Sequence, residues 1–238
     1  MFSGCTILTN FSFPDLDTSN VINIQGFLSG CKELKSFNLF NFSKSLVQDM
    51  SYLFSNCINL EIFYIPDLDT SKVTNMTGLF SGCINLTSFN LSNFNTSLVE
   101  DMSYMFENCS NLQYIEMPYL DTSKVTSMKG LFKDCKNLIS FNLSNFDTSL
   151  VEDMSYMFSE CSSLKSFSLS NFNTTSLKNM EYMFKDCSSL AHINLLYIDT
   201  SSVTNMKYLF FGSKNLSSIH LNNFDTSLVK DMSFMFNN

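Results

Sequence analysis

Leu86-Thr87-Ser88-Phe89-Asn90-Leu91-Ser92-Asn93-Phe94-Asn95-Thr96-Ser97-Leu98-Val99-Glu100-Asp101-Met102-Ser103-Tyr104-Met105-Phe106 is one turn of a pattern that returns when the chain is shifted by 26 residues either way. Cys5, Cys31, Cys57, Cys83, Cys109, Cys135, Cys161 and Cys187 keep that spacing, and the next step lands on Ser213. Met50, Met76, Met102, Met128, Met154, Met180, Met206 and Met232 keep it too. Nine coils without an insertion define a repeat protein, in which each unit buries its apolar side against its neighbours.

Within a coil, Leu60-x-x-Phe63-x-Ile65-x-x-Leu68 places Phe63 and Ile65 two apart, on one side of an extended segment. Every coil supplies such a strand in the same direction, so the sheet is expected to be parallel. Asp69-Thr70-Ser71 follows, a cluster typical of a helix start. Ser45/Gln48, Ser97/Glu100 and Ser149/Glu152 have the capping-box spacing. Val47, Met50, Leu53, Phe54 and Cys57 then fall at steps of three and four, the apolar stripe of a helix of about three turns. Gly30, Asn56, Gly82, Asn108 and Gly212 stand where such a helix would turn through left-handed space. Packed helices need about 8–10 Å and paired strands about 4.8 Å, so strands would line the inside of a curve. The expected fold is an α/β solenoid, a horseshoe with a parallel sheet on its concave face and short helices on its convex face. It would form one repeat domain over residues 1–238.

Leu-x-x-Phe-x-Leu followed by a helical pattern resembles a leucine-rich repeat. The fuller pattern, Phe146-Asp147-Thr148-Ser149-Leu150-Val151-Glu152-Asp153-Met154-Ser155-Tyr156-Met157-Phe158 with Cys161 after it, resembles the repeat of BspA-like bacterial surface proteins. The resemblance covers essentially the whole chain. It implies a secreted or wall-attached protein whose repeats serve adhesion or host-protein binding, with no cofactor and no catalytic residue. Phe42 and Leu68 depart from the ordinary leucine-rich repeat, which carries an asparagine ladder there.

Composition narrows the function classes. A net charge of −8 with 14 Lys+Arg spread over nine coils leaves no basic stripe for nucleic acid or an anionic membrane. No apolar run approaches the length of a membrane span, and Met1-Phe2-Ser3-Gly4-Cys5 does not read as a signal peptide. Met1-Phe2 and Met235-Phe236 fall inside coils, so both ends read as lacking polar caps. The expectation is a piece of a longer protein with a tendency to associate end to end, sited outside the cell by its resemblance alone.

The cysteines share one inward column, a poor approach for disulfides, and are expected to be buried free thiols. No CxxC or His pairing points to zinc. Asp17, Asp69, Asp121, Asp147, Asp199 and Asp225 form a column interrupted by Ser43, Asn95 and Asn173, which favours helix starts over a calcium ladder. His192 and His220 lie in different columns, and no acid–base or nucleophile pair accompanies them.

Two sequence flavours alternate. Coils with Pro14, Pro66 and Pro118 carry Gly26, Gly78 and Gly130; the others carry Tyr52, Tyr104 and Tyr156 at that position. Each outward Tyr is expected to lean over the bare backbone of a neighbouring Gly coil. From coil six the alternation gives way to Tyr156, Tyr182, Tyr208 and Phe234. On the strand face most central positions are Ser and Asn, as at Ser36, Asn38, Ser88, Asn90, Ser140 and Asn142. Coil three instead offers Ile62, Tyr64 and Pro66, and coil five offers Tyr114, Glu116, Pro118 and Tyr119. Aromatics rising from a polar sheet suit protein or glycan recognition. Ile62, Tyr64, Tyr114, Glu116 and Tyr119 are therefore the candidate binding residues, flanking Ser88 and Asn90 at two strand spacings, about 10 Å. A passive spacer of a surface protein is the second reading, and a polysaccharide-acting enzyme on a parallel solenoid the third.

Overall fold

The structure is a computed structural model that describes the chain apart from residues 13–16, 39–41, 43–45, 65–67, 118–119, 170, 222–223 and 238. Eight short strands recur once per coil: β1 (Asn10–Ser12), β2 (Ser36–Asn38), β3 (Ile62–Tyr64), β4 (Ser88–Asn90), β5 (Tyr114–Glu116), β6 (Ser140–Asn142), β7 (Ser166–Ser168) and β8 (His192–Asn194). Each pairing is parallel and offset by one coil, as in Phe63 opposite Phe89 and Phe167 opposite Ile193. The expected repeat solenoid with parallel strands is present.

The expected helices are not. Among the described residues the apolar stripe is built from consecutive β-turns. In the coil around Phe54, Leu53 N–H donates to Met50 O at 3.2 Å, Ser55 N–H to Tyr52 O at 3.0 Å and Cys57 N–H to Phe54 O at 3.1 Å. Tyr52 and Asn56 adopt φ of 55° and 58°, the third-position conformation of a type II turn. Turns that advance two residues at a time bury Met50, Leu53, Phe54 and Cys57 just as a helix would, so the stripe does not distinguish them. The remaining backbone donors settle the choice. Met50, Tyr52, Phe54 and Asn56 N–H point along the solenoid to the carbonyls of Asn75, Thr77, Leu79 and Ser81 at 2.7–3.0 Å. A helix would consume those groups internally and hold its neighbour at about 8–10 Å. Here successive coils are hydrogen-bonded backbone to backbone, which helix spacing would not allow, and their phenyl rings stack at 6.0 Å for Phe54–Phe80 and 5.4 Å for Phe80–Phe106. The spacing argument for a horseshoe required helices and falls with them.

The supposed capping boxes also resolve differently. Glu100 and Glu152 N–H donate to Thr74 O and Thr126 O of the preceding coil, both at 2.8 Å; Ser45 lies outside the described residues. The aspartate column makes Asx-turns: Ser71, Ser123 and Ser149 N–H donate to Oδ1 of Asp69, Asp121 and Asp147, each at 2.9 Å. An N-cap begins with the same bond, but here a single turn follows, closed by Val73 N–H to Thr70 O at 3.0 Å. The threonine at the centre of this cluster is buried at Thr70, Thr96, Thr122, Thr148, Thr174 and Thr200. Thr96 Oγ1 donates to Asp121 O at 2.9 Å and accepts from Asp121 N–H at 2.8 Å, tying its coil to the next.

The core columns are as read from the sequence: Val47, Met50, Leu53, Phe54, Cys57 and Leu60 and their equivalents as far as Phe210 are buried, whereas Val21, Phe27 and Leu216 are half-buried and Met232 and Phe236 exposed; Ile65 lies outside the described residues. All eight cysteines are free, seven of them buried and Cys5 exposed. Each buried thiol is also a donor to a carbonyl of the coil before, as in Cys109 Sγ to Phe80 O at 3.3 Å. Ser213 keeps that bond, Oγ to Phe184 O at 2.8 Å, which explains how a serine fills the ninth place. The Tyr–Gly coupling is also present: a Cβ on Gly78 or Gly130 would overlap the ring of Tyr52 or Tyr104 from the coil before. Where tyrosines follow one another their rings stack, Tyr156–Tyr182 and Tyr182–Tyr208 both at 4.6 Å.

Candidate binding surface

The solenoid has two unlike walls. On the turn wall, bridges run from every coil to the next, from Asn23 through Asp49, Asn75, Asp101, Ser127, Asp153, Asn179 and Asn205 to Asp231. On the strand wall the ladder is interrupted. β1 pairs with β2, β3 with β4, β5 with β6 and β7 with β8, and no ladder joins one doublet to the next among the described strands. Corner threonines still bond across the β4–β5 and β6–β7 seams, Thr96 Oγ1 reaching Asp121 O and Thr148 Oγ1 reaching Asn173 O, both at 2.9 Å. At those two seams the interruption is confined to the strands.

Burial follows the same division. The inward residue of the strand preceding each seam, Phe37, Phe89 or Phe141, is only half-buried, whereas Ile115 and Phe167 on the strands after a seam are buried. Each half-buried ring leans on the phenyl of the turn wall, at 4.5 Å for Phe37–Phe54, 4.7 Å for Phe89–Phe106 and 5.1 Å for Phe141–Phe158. At the seam between β6 and β7 this leaves a cleft of about 600 Å³. Ser140, Asn142, Ser166 and Ser168 form its walls, Phe141 and Phe167 its floor, and His192 one lip.

Against this wall the sequence-derived residues fall as follows. Tyr114 stands on β5 with 63% of its surface exposed, opposite Ser140. Ile62 and Tyr64 belong to β3, opposite Ser88 and Asn90, and Glu116 to β5, opposite Asn142; their side chains lie outside the described set. Tyr119 lies outside the described residues altogether. The expectation that both groups flank Ser88 and Asn90 at equal strand spacings needs correction. β3 is paired directly with β4, while β5 lies across a seam from it. The cleft over β6 and β7 was missed because Ser140-Phe141-Asn142 repeats Ser88-Phe89-Asn90 letter for letter; among its exposed lining residues Ile139 and His192 depart from the Ser and Asn background.

Among the described residues no group of three or more His, Cys, Asp or Glu is arranged to hold a metal ion. None forms a helix long and apolar enough to cross a membrane. Burial pushes the Cys57 and Cys187 thiols up to about 12, and those of Cys83, Cys109 and Cys161 well above the ordinary thiol range. Such groups pack rather than react.

The family described as "Mycoplasma protein of unknown function, DUF285" matches over residues 1–61, 25–119, 113–196 and 191–238. No curated protein matches. Among solved structures, a leucine-rich cell surface protein from Faecalibacterium prausnitzii A2-165 aligns at 22% identity, with a TM-score of 0.50 over 92% of this chain and 62% of that one. A leucine-rich repeat protein from T. pallidum aligns at 24% identity over 68% of each chain, with a TM-score of 0.48. Both of these neighbours are bacterial leucine-rich-repeat proteins, and the Faecalibacterium likeness supports the same fold, a repeat solenoid with parallel strands.

Proposed function

The chain belongs to the DUF285 family, and on that premise we propose that it is a non-enzymatic binding module, displayed at the cell surface, that holds a protein or glycan ligand on its strand wall. The observation that carries this reading is Tyr114, a large ring 63% exposed on a wall whose outward positions are mostly Ser and Asn. A rigid aromatic buries much area on contact for little conformational entropy. Tyr64, Ile62, Glu116 and Tyr119 extend the contact along coils three and five. The lineage of the fold supports a binding role, and the relative from Faecalibacterium is itself described as a cell surface protein.

The test screens the purified chain against immobilised extracellular proteins and glycans, then repeats any hit with a Tyr64→Ser/Tyr114→Ser variant. Serine is what neighbouring coils carry at the Tyr114 position, so folding should be retained. Each change is expected to weaken binding by about 1–2 kcal/mol. Equal affinity of parent and double variant would contradict the assignment. A passive spacer is the second reading, favoured by the identical Ser-Phe-Asn sequences of β2, β4 and β6. It predicts no ligand in the same screen.

A further inference from the structure

We infer that the cleft over β6, β7 and β8 is a subsite for an uncharged oligosaccharide, held by the hydroxyl and amide side chains of the strand wall and by the ring of Tyr197 at its rim. The inference rests on the strand wall being the binding face and names the ligand class, but it does not use the tyrosines of coils three and five. No Asp, Glu, Lys or Arg lines the cleft. Its exposed lining includes Ser140, Asn142, Ser166, His192, Asn194 and Ser218, with Asn171 beside them. The whole chain carries a net charge of −8, so its field disfavours an acidic ligand, and the lining holds no carboxylate to pair with a basic one.

The asparagines set the donors. Asn142 Oδ1 accepts from Ser144 N–H at 3.2 Å and from Ser144 Oγ at 2.8 Å, and Asn194 Oδ1 accepts from Leu196 N–H at 3.1 Å. Each amide is thereby held in one orientation with its Nδ2 hydrogens left for a ligand, so little side-chain freedom is lost on binding. Serine hydroxyls and imidazole can each donate or accept, which matches a ligand whose own hydroxyls do both. A peptide finds less. Its binding energy comes mostly from large side chains seated in pockets, and here the floor is closed: Phe141 meets Phe167 at 5.0 Å, and Phe158 lies against them at 5.1 and 4.7 Å. Coil eight supplies the rim. A turn closed by Ile198 N–H to Leu195 O at 3.3 Å sets Leu196 and Tyr197 at its middle positions, both exposed, Tyr197 by 72%. Tyr197 takes in coil eight the place that Asn171 holds in coil seven. A pyranose can lay its C–H groups on such a ring while its hydroxyls reach the polar wall.

The experiment titrates the full chain with oligomers of glucose, mannose, galactose and N-acetylglucosamine, with their uronate and sulfated counterparts, and with neutral peptides alternating Thr and Val. Backbone amide shifts are followed by NMR, which also reports that each variant is folded. At least one neutral oligosaccharide is expected to shift the amides of Ser140–Asn142, Ser166–Ser168 and His192–Asn194 at millimolar concentration, and its anionic counterpart to bind more weakly. Tyr197→Asn, which installs the residue of coil seven, should weaken that binding at least about tenfold. Asn194→Asp keeps the acceptor for Leu196 N–H but deletes the Nδ2 donors, and should weaken it about tenfold as well. The Tyr64→Ser/Tyr114→Ser variant should bind the oligosaccharide as the parent does. The inference is overturned if no neutral oligosaccharide shifts these amides, if the anionic oligomers or the peptides bind there as tightly, or if Tyr197→Asn and Asn194→Asp bind like the parent. A protein ligand lost with Tyr64 and Tyr114, when no oligosaccharide reaches the cleft, would overturn this inference and leave the proposed function standing.

Discussion

Replacing Gly78 by Ala tests the interlock between outward tyrosines and bare backbone. Gly78 lies at φ 59°, and an added methyl would overlap the ring of Tyr52. The first penalty is conformational: an L-residue held in the left-handed region costs about 1–2 kcal/mol. The second comes from the ring. Lifting it off the chain would uncover on the order of 40 Å² of apolar surface, worth about 1 kcal/mol. Gly78→Ala is thus expected to destabilise by about 2–3 kcal/mol. In a Tyr52→Gly background the overlap disappears and only the conformational penalty remains, so a double-mutant cycle should return a coupling of about 1 kcal/mol. Gly26 is an internal control: its φ is 57°, but a Cβ there meets only Ser29 Cβ at 3.8 Å. Urea unfolding followed by circular dichroism measures all four changes. Should Gly78→Ala cost the same with and without Tyr52, and no more than Gly26→Ala, the interlock carries no energy and the reasoning fails.

Three further outcomes are expected. An alkylating reagent at pH 8 should label Cys5 rapidly in the folded chain and leave the seven buried thiols untouched, while denaturation without reductant should release all eight; oxidised pairs would contradict the ladder of free donors. Thr148→Val, which deletes the 2.9 Å bond to Asn173 O, should cost about 1–2 kcal/mol, and a neutral result would mean the corner ladder is not what bridges the seam. Stability should fall on acidification. The Ser123, Ser149 and Ser201 hydroxyls, and then their N–H groups, hold the carboxyls of Asp121, Asp147 and Asp199 below the ordinary aspartate range. A folded pKa below the unfolded one gives stability that is complete above about pH 4 and is lost as pH falls through the folded value. Glu160 acts in the opposite sense, its carboxyl raised by burial and by Asp134. One such group does not offset the aspartate column, so a urea midpoint that rises between pH 6 and pH 3 would refute this.

The sequence made the period, the buried columns and the Tyr–Gly interlock legible because each depends on residue identity at one fixed spacing. Two features were not. The stripe Met50, Leu53, Phe54, Cys57 fits a helix and a chain of β-turns equally, since both return a residue to the same side after three or four positions. Asp69 accepting from Ser71 N–H is likewise the opening bond of an N-cap and of an Asx-turn. What separates them is the destination of donors such as Met50 N–H, a contact between coils that no single coil encodes. The doublets were only half visible. Pro and Gly alternate through the first five coils, but the pairing of β7 with β8 continues after that alternation stops, so proline alone does not set it. The cleft at β6 and β7 has no signature of its own, because Ser-Phe-Asn is also the sequence of β2 and β4.

Residue-resolved hydrogen–deuterium exchange tests the central claim most directly: the turn wall is the continuous spine of the solenoid and the strand wall is divided into doublets. Met102, Tyr104, Phe106 and Asn108 N–H, bonded at 2.7–3.1 Å to carbonyls of the next coil, and their equivalents in the other coils should be among the slowest amides of the protein. The strands should exchange faster, fastest at the edges facing the seams β2–β3, β4–β5 and β6–β7. Uniformly slow exchange along the strand wall together with fast exchange along the turn wall would contradict the account.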